Sequence, residues 1–443
     1  MDFIRIDSNI KYKIDSISEL ENNEKYLCMF FLNKILFSYF YSIKQNNHFD
    51  KEFFVNKSIK GLQYLFGSDK NTYKCINVLE KNNLIERGNS YVKDKYSKGF
   101  KPLLNITGKF VTVKINNYLN VHQITNLRKR IQKKRSKDLE WHLNNLKRDI
   151  ELDLHLLSLF IDKFFGVKIN CFDDRDKYIE QVMNIPLQCD DMVTNAKQYF
   201  YKMKILDLLD LENTEIVKGE KGGRHYHALS NTPTDLKRCL VSKNMKKPFL
   251  IQIDIKNSQP FFLLCLIEKA NLEIEESMKI AILNGKFYEK IGEVWGYNFL
   301  DITENKSIRK EVKEMVFKYL FFCKNNTSRL NNENFKKIRD KYPLFALAIE
   351  KVADVKNRTL ASLLQEIETK EMLPIVRKFK AIGIHDAVVL ITVDKQTQVE
   401  KVKVELFNRF KKKYKMTPQV SVELLSEREE GLKKLFKLRN LFL

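Results

Sequence analysis

Two aspartates stand where a chain rarely places a charge. Asp254 lies inside FLIQIDIKNSQPFFLL (249–264), an apolar run broken by a short polar knot. Asp386 lies inside AIGIHDAVVLITVD (381–394), directly after His385. A buried carboxylate without a partner costs several kcal/mol. Shared divalent cations offset that cost. Two Mg²⁺ ions roughly 3.5–4 Å apart, with Mn²⁺ as a substitute, would activate an attacking hydroxyl and stabilise a leaving pyrophosphate. Between the aspartates lies SIRKEVKEMVFKYLFF (307–322), in which Arg309, Lys313, Phe317 and Phe321 recur every four residues. On an α-helix that spacing puts all four on one face. Two cations followed by two aromatics suit a polyphosphate at one end and a stacked base at the other.

These residues need elements to carry them. The β-branched, apolar flanks of Asp254 predict a strand with the aspartate at its end. The second run predicts a hairpin with Asp386 at its turn. Plainer roles stay open. Asp254 could cap a strand, and Asp386 could be an ordinary turn residue. Arg309 and Lys313 could be a solvated face, and the phenylalanines could be core. Arg224, His225 and His227 lack Cys or acidic partners at metal-ligand spacing, which argues against zinc. Glu366, Glu368 and Glu371 read as surface charge.

The chain has 443 residues, 44% of them hydrophobic and 30% charged, so it reads as globular with two or three domains. Its formal charge of +23 calls for a polyanionic partner, and nucleic acid is the expected one rather than a membrane. Seven cysteines without a CxxC pair argue against a disulfide framework or a zinc ribbon. A reducing cytoplasm, of a bacterial or phage-infected cell, fits best. The N-terminus shows no signal-peptide core. The apolar run at 26–43 is interrupted by Asn33 and Lys34 and reads as a buried helix.

Three regions follow in order: 1–115, a basic helical stretch at 116–215, and 216–443. The first reads as helix, turn, helix and basic hairpin. VLEKNNLIERGNSYVKDKYSKGFK in particular resembles a winged helix-turn-helix domain. In that family the second helix can enter a major groove while the wing meets phosphate. Lys70, Asn71, Tyr73 and Lys74 would stand near that helix's start, and Lys93, Lys95, Lys98 and Lys101 along the wing. The second region carries RKRIQKKRSK (128–137) and a helical apolar stripe from Leu143 to Phe160. One long helical region over 122–166 is expected.

The order of strand aspartate, R-x-x-x-K-x-x-x-F helix and His-Asp hairpin resembles the family A DNA polymerases and the related single-subunit RNA polymerases. The resemblance spans about 222–394. It implies a helix-rich α+β fold of right-hand type, with thumb at 116–215 and palm at 216–443, the fingers at about 262–345. It implies that Asp254 and Asp386 bind two metal ions. Arg309 and Lys313 would hold the nucleoside triphosphate, and Lys313 could give pyrophosphate a proton. Phe317 would pack on the nucleotide, with Phe321 at the position four residues on. Arg224 would touch the primer–template minor groove, Gln365 the duplex, and His385 the primer end. Gln259 stands where a glutamate often screens the sugar, Ala387 where an acidic residue is typical, and Lys318 where glycine is usual.

No proofreading exonuclease is expected, since no second set of clustered carboxylates precedes the thumb region. A template-directed DNA polymerase of a phage, plasmid or other mobile element is therefore the leading expectation. The alternatives are an RNA polymerase or primase-like enzyme, a template-independent polymerase, and a replication-initiator or regulatory DNA-binding protein with a degenerate palm.

Overall fold

A computed structural model describes residues 3–46, 54–56, 69–88, 99–103, 106–119, 124, 140–187, 191–211, 217–218, 223–230, 232–244, 249–323, 326–354 and 359–427. The fold is helix-rich α+β, as expected. The chain forms two compact units: Met1–Arg135 with Leu152–Glu215, and Ser136–Glu151 with Ile216–Leu443. Most of 116–215 falls in the same unit as the N-terminal residues.

In the first unit the long helix Asn22–Asn46 packs on Met192–Leu209, with Phe40 and Tyr199 ring centroids 4.6 Å apart. By length and apolarity Asn22–Lys44 could cross a membrane, yet Phe31, Leu32, Ile35 and Leu36 are buried inside this unit. Phe3–Asp7 pairs antiparallel with Phe110–Lys114. A second sheet runs Val55–Asn56, Gly99–Pro102, Ile85–Arg87 beside the helix Asp69–Lys81. The expected helix at 57–67, the wing residues Lys93, Lys95 and Lys98, and the basic run at 128–137 lie outside the described residues.

Within the helical region expected over 122–166, the described residues 140–166 hold two helices rather than an unbroken run. Glu140–Asp149 ends in a short strand, Ile150–Leu152, and a new helix starts at Leu154. Asp153 starts it, because its carboxylate accepts from the His155 and Leu156 amides, both at 3.0 Å. An N-cap of this kind outweighs continuous apolar spacing.

The second unit is built on a four-stranded antiparallel sheet, ordered Ile382–Ile384, Ala387–Thr392, Phe249–Ile255, Val420–Glu427. Strand alternation explains its two faces. Ile251, Ile253 and Ile255, with Val388 and Leu390, point into a core shared with the helices Ser258–Lys269, Leu360–Lys378 and Lys395–Tyr414. Gln252 and Asp254 fall on the other face and are only partly covered.

Candidate active site

The register Asp254↔Ala387 sets Asp254 beside the turn that carries Asp386. The Ile255 amide donates to the Asp386 carbonyl at 3.4 Å. The polar knot after the strand is a tight connection. Asn257 adopts φ +51°, which asparagine tolerates, and the helix Ser258–Lys269 starts immediately after it. Burial, and then the neighbouring Asp386 carboxylate, push Asp254 up to about 7, while Lys237 and Lys313 pull it back. Asp254 Oδ1 is buried with no hydrogen-bond partner. An orphaned oxygen beside a second carboxylate is a donor set that suits a hard divalent cation. Among the described residues, no group of three or more His, Cys, Asp or Glu side chains comes together for a metal. Two carboxylates agree with Mg²⁺, which commonly takes one or two from protein and fills its octahedron with water and substrate phosphate.

The helix Lys306–Val316 brings up the cations. Arg309 donates from Nη2 to Asn257 Oδ1 at 3.3 Å and from Nε to Glu289 Oε1 at 3.2 Å. Asn257 Nδ2 in turn donates to the Gly285 carbonyl at 2.5 Å. The guanidinium is therefore fixed to the same turn that follows Asp254. Lys313 is exposed, and its ammonium lies 5.9 Å from the ring centroids of both Tyr288 and Phe317. Tyr288 is buried beneath Arg309 and Lys313, and that burial raises its hydroxyl.

The four-residue spacing does not hold to its end. Phe317–Phe321 forms a π turn, closed by the Phe322 amide on the Phe317 carbonyl at 2.8 Å. A π turn holds more residues than an α turn, so Phe321 leaves the shared face. It is fully buried, edge-on to Phe317 at 5.4 Å. Phe321, expected at the nucleotide, backs the Phe317 ring from the core.

Behind the hairpin lies a buried polar cluster. Arg224 grips Glu368 through two bonds, Nε to Oε1 at 2.7 Å and Nη2 to Oε2 at 2.5 Å. Gln259 Nε2 donates to Glu368 Oε2 at 2.9 Å. Burial pushes Glu368 up to about 7 against the pull of Arg224 and Gln259. Glu371 is equally buried and accepts from Arg409 at 2.9 Å and the Tyr414 hydroxyl at 2.8 Å. The surface reading of Glu368 and Glu371 was wrong, although Glu366 is exposed. Their spacing from Leu364, Ile367, Met372 and Ile375 on the buried helix face was the available signal. Arg224 and Gln259 were expected to meet substrate, yet both side chains are engaged by Glu368.

His385 has φ +56° and a buried Nδ1 without a partner. Burial and the Arg224 charge lower its pKa to about 4, so it is neutral at pH 7. Its ring meets Tyr226 edge-on at 5.5 Å. His227 is structural. Its Nδ1 accepts from the Leu229 amide at 3.3 Å, which leaves Nε2–H to donate to the Gly383 carbonyl at 2.8 Å. Gln365 is half-buried one turn before Glu368. A small pocket beside the hairpin is lined by Arg224, Thr369, Met372, Gly383 and His385.

Lys237 was missed in the sequence. It is half-buried, and Asp254, Glu423 and Asp386 are the charges acting on it. Glu289 and Asn257, which hold Arg309, were missed as well. In the other unit, Lys74 is drawn to Glu24 at 2.6 Å, Asn71 is exposed, and Tyr73 is 41% exposed. Lys70 falls in the first turn of the same helix.

No protein-family model matches the chain. No curated protein matches it either. Among solved structures the chain is similar to the POL domain of Pol1 from M. smegmatis, in complex with DNA primer-template and dNTP. The TM-score is 0.39 at 11% sequence identity, covering 68% of this chain and 73% of that one.

Proposed function

We propose that the chain is a nucleotidyltransferase, a template-directed DNA polymerase of the family A type without a proofreading exonuclease. The observation that carries the reading is the meeting of Asp254 and Asp386 at one end of the sheet's two central strands, beside a helix that presents Arg309, Lys313 and Phe317. In this reading the four-stranded sheet is the palm, and 262–345 holds the fingers. The 1–115 region is a winged helix that meets DNA through Lys70, Asn71, Tyr73, Lys74 and the wing lysines. A net charge of +23 supports a polyanionic partner.

Asp254 and Asp386 would hold two Mg²⁺ ions, or Mn²⁺ in their place. When bound, such ions neutralise phosphate charge and acidify an attacking hydroxyl. The chain's own residues do the positioning. Arg309 is preorganised by Asn257 and Glu289, so it meets a triphosphate without losing side-chain freedom. Lys313 extends the same positive face, within reach to protonate a departing pyrophosphate. Phe317 packs on the nucleobase, with Phe321 behind it. His385, neutral at pH 7, offers the primer end a hydrogen bond rather than a charge. The bulk of catalysis in this scheme is positioning and electrostatics.

A second reading, incorporation of ribonucleotides, is favoured by Gln259. Its amide is tied to Glu368 and is 6% exposed, so little of it is left to press against a 2′-hydroxyl. One assay tests both readings. A labelled primer on a DNA template is supplied with Mg²⁺ and, in separate reactions, deoxy- or ribonucleotides. A template-free control is included. Templated deoxynucleotide addition supports the first reading, and ribonucleotide addition alone supports the second. No addition in any reaction contradicts both.

A further inference from the structure

Three helices of the first unit bring aromatic and basic residues to one place. On Asn22–Asn46, Lys34, Phe37, Tyr41 and Lys44 follow one another at helical spacing, which puts them on one face. On Met192–Leu209, Lys197, Phe200, Tyr201 and Lys204 repeat the pattern over a shorter span. The helix Leu154–Phe165 adds Phe160 and Phe164. The rings form one continuous chain. Phe37 stacks on Tyr41 at 6.3 Å and 11°, and Tyr41 meets Phe200 at 5.6 Å. Phe200 meets Tyr201 at 6.1 Å, and Tyr201 meets Phe164 at 4.4 Å and Phe160 at 5.6 Å. Cations sit against these rings. The Lys44 ammonium lies 3.9 Å from the Phe200 centroid and 5.7 Å from that of Tyr201. The Lys204 ammonium lies 5.8 Å from the centroid of Phe37.

Charge and exposure decide what covers this face. Tyr41 is 38% exposed, and Phe37, Phe160, Phe164 and Tyr201 are half-buried. Lys204 has an acid, Asp207 at 3.2 Å, but among the described residues Lys34, Lys44 and Lys197 make no ion pair. Burial first, and then the charges of Lys197 and Lys204, pull the Lys44 ammonium below its usual range. Lysines that repel one another beside open rings suit a ligand with both anionic groups and flat π faces. A second copy of the chain would bring the same lysines, so it does not fit. A bilayer would need aliphatic surface, and Leu32, Ile35 and Leu36 of the same helix are buried. Phenylalanine rings offer nothing to a 2′-hydroxyl stripped of its water, which disfavours RNA. We propose that this three-helix face docks single-stranded DNA, with bases stacked on Phe37, Tyr41 and Phe160 and phosphates on Lys34, Lys44 and Lys197. The face involves neither Asp254 nor Asp386, and the inference does not rest on the polymerase reading.

The test uses the full chain, with Kd values read by fluorescence anisotropy. The labelled probes are oligothymidylate, a base-free deoxyribose-phosphate oligomer of the same length, oligouridylate and a blunt hairpin duplex. Wild type should bind oligothymidylate more tightly than the base-free oligomer or oligouridylate. Tyr41→Ala should weaken oligothymidylate binding about tenfold and leave the duplex unchanged. Tyr41→Phe should bind like wild type, and Tyr41→Leu, apolar but without a π face, should not. Lys44→Gln should weaken binding too, and should lower the salt dependence of Kd by about one phosphate contact. Because Tyr41 also packs on Phe200, a thermal melt accompanies each variant, and Lys44→Gln carries the test if Tyr41→Ala does not fold. Unchanged oligothymidylate binding by a folded Tyr41→Ala or by Lys44→Gln overturns the proposal. Full binding by Tyr41→Leu does the same, as does equal wild-type affinity for the base-free oligomer or for oligouridylate. Phosphatidylserine vesicles are the last probe: if the variants lose vesicle binding and keep oligothymidylate, the face belongs to a membrane and the proposal falls.

Discussion

Arg224 and Glu368 are joined by two parallel hydrogen bonds of 2.7 and 2.5 Å, and the carboxylate is wholly enclosed. Removing one partner strands a charge inside the protein. Arg224→Ala should therefore lower stability by about 3–5 kcal/mol in denaturant unfolding. Adding Glu368→Gln to that variant should recover part of the loss, since the stranded group is then neutral. A loss below roughly 1 kcal/mol would show that the pair contributes nothing beyond a surface bridge.

Arg309 and Lys313 separate structure from binding. Arg309→Ala leaves Glu289, which is 3% exposed, without its cation, so both stability and triphosphate binding should fall. Lys313 is exposed, so Lys313→Ala should stay within about 0.5 kcal/mol of wild type in stability. Its apparent KM for nucleotide should nevertheless rise about tenfold or more. Thermal melts and steady-state kinetics on the same samples check this. A Lys313→Ala enzyme with unchanged KM and kcat would remove that residue from the site.

The aspartate pair sets a pH dependence. In the folded, metal-free chain Asp254 is raised from 3.8 to about 7, so the native state holds a proton that the unfolded chain releases. Its contribution to stability is then fully present below about 3.8 and is lost as pH rises toward 7. Metal-free Asp254→Asn should accordingly gain in Tm over wild type between pH 5 and 8. Mg²⁺ should stabilise wild type but not the variant, and its affinity for wild type should weaken as pH drops below about 7. Parallel pH profiles of the two proteins would contradict this.

Lys202 tests the other unit. It has no exposed surface, and its ammonium donates to the carbonyls of Gly108, Met183 (2.8 Å) and Ile185 (2.6 Å). Lys202→Met leaves these carbonyls without a donor, at about 1–3 kcal/mol for each one left buried. A variant that melts like wild type would mean that water or backbone shifts replace the ammonium.

Much of the candidate site was legible because it follows short-range rules. The alternation around Asp254 and the turn around Asp386 are local patterns, and both elements lie adjacent in one sheet. Arg309, Lys313 and Phe317 keep α-helical spacing. What escaped depends on distant partners. Glu368 looked like surface charge until Arg224, 144 residues away, covered it. The π turn is held by Arg329, which no periodicity reveals. The break at Ile150–Leu152 was readable in principle from Asp153, but the apolar stripe on either side outweighed it. The packing of Met192–Leu209 on Asn22–Asn46 joins two helices expected in separate regions of the chain.

The most direct measurement is single-nucleotide incorporation on a primer–template, comparing wild type with Asp254→Asn and Asp386→Asn in Mg²⁺ and after chelation. Both variants should lose on the order of a thousandfold in rate while keeping the fold and DNA affinity, and chelation should abolish wild-type activity. A wild-type rate in either variant would contradict the assignment of the pair.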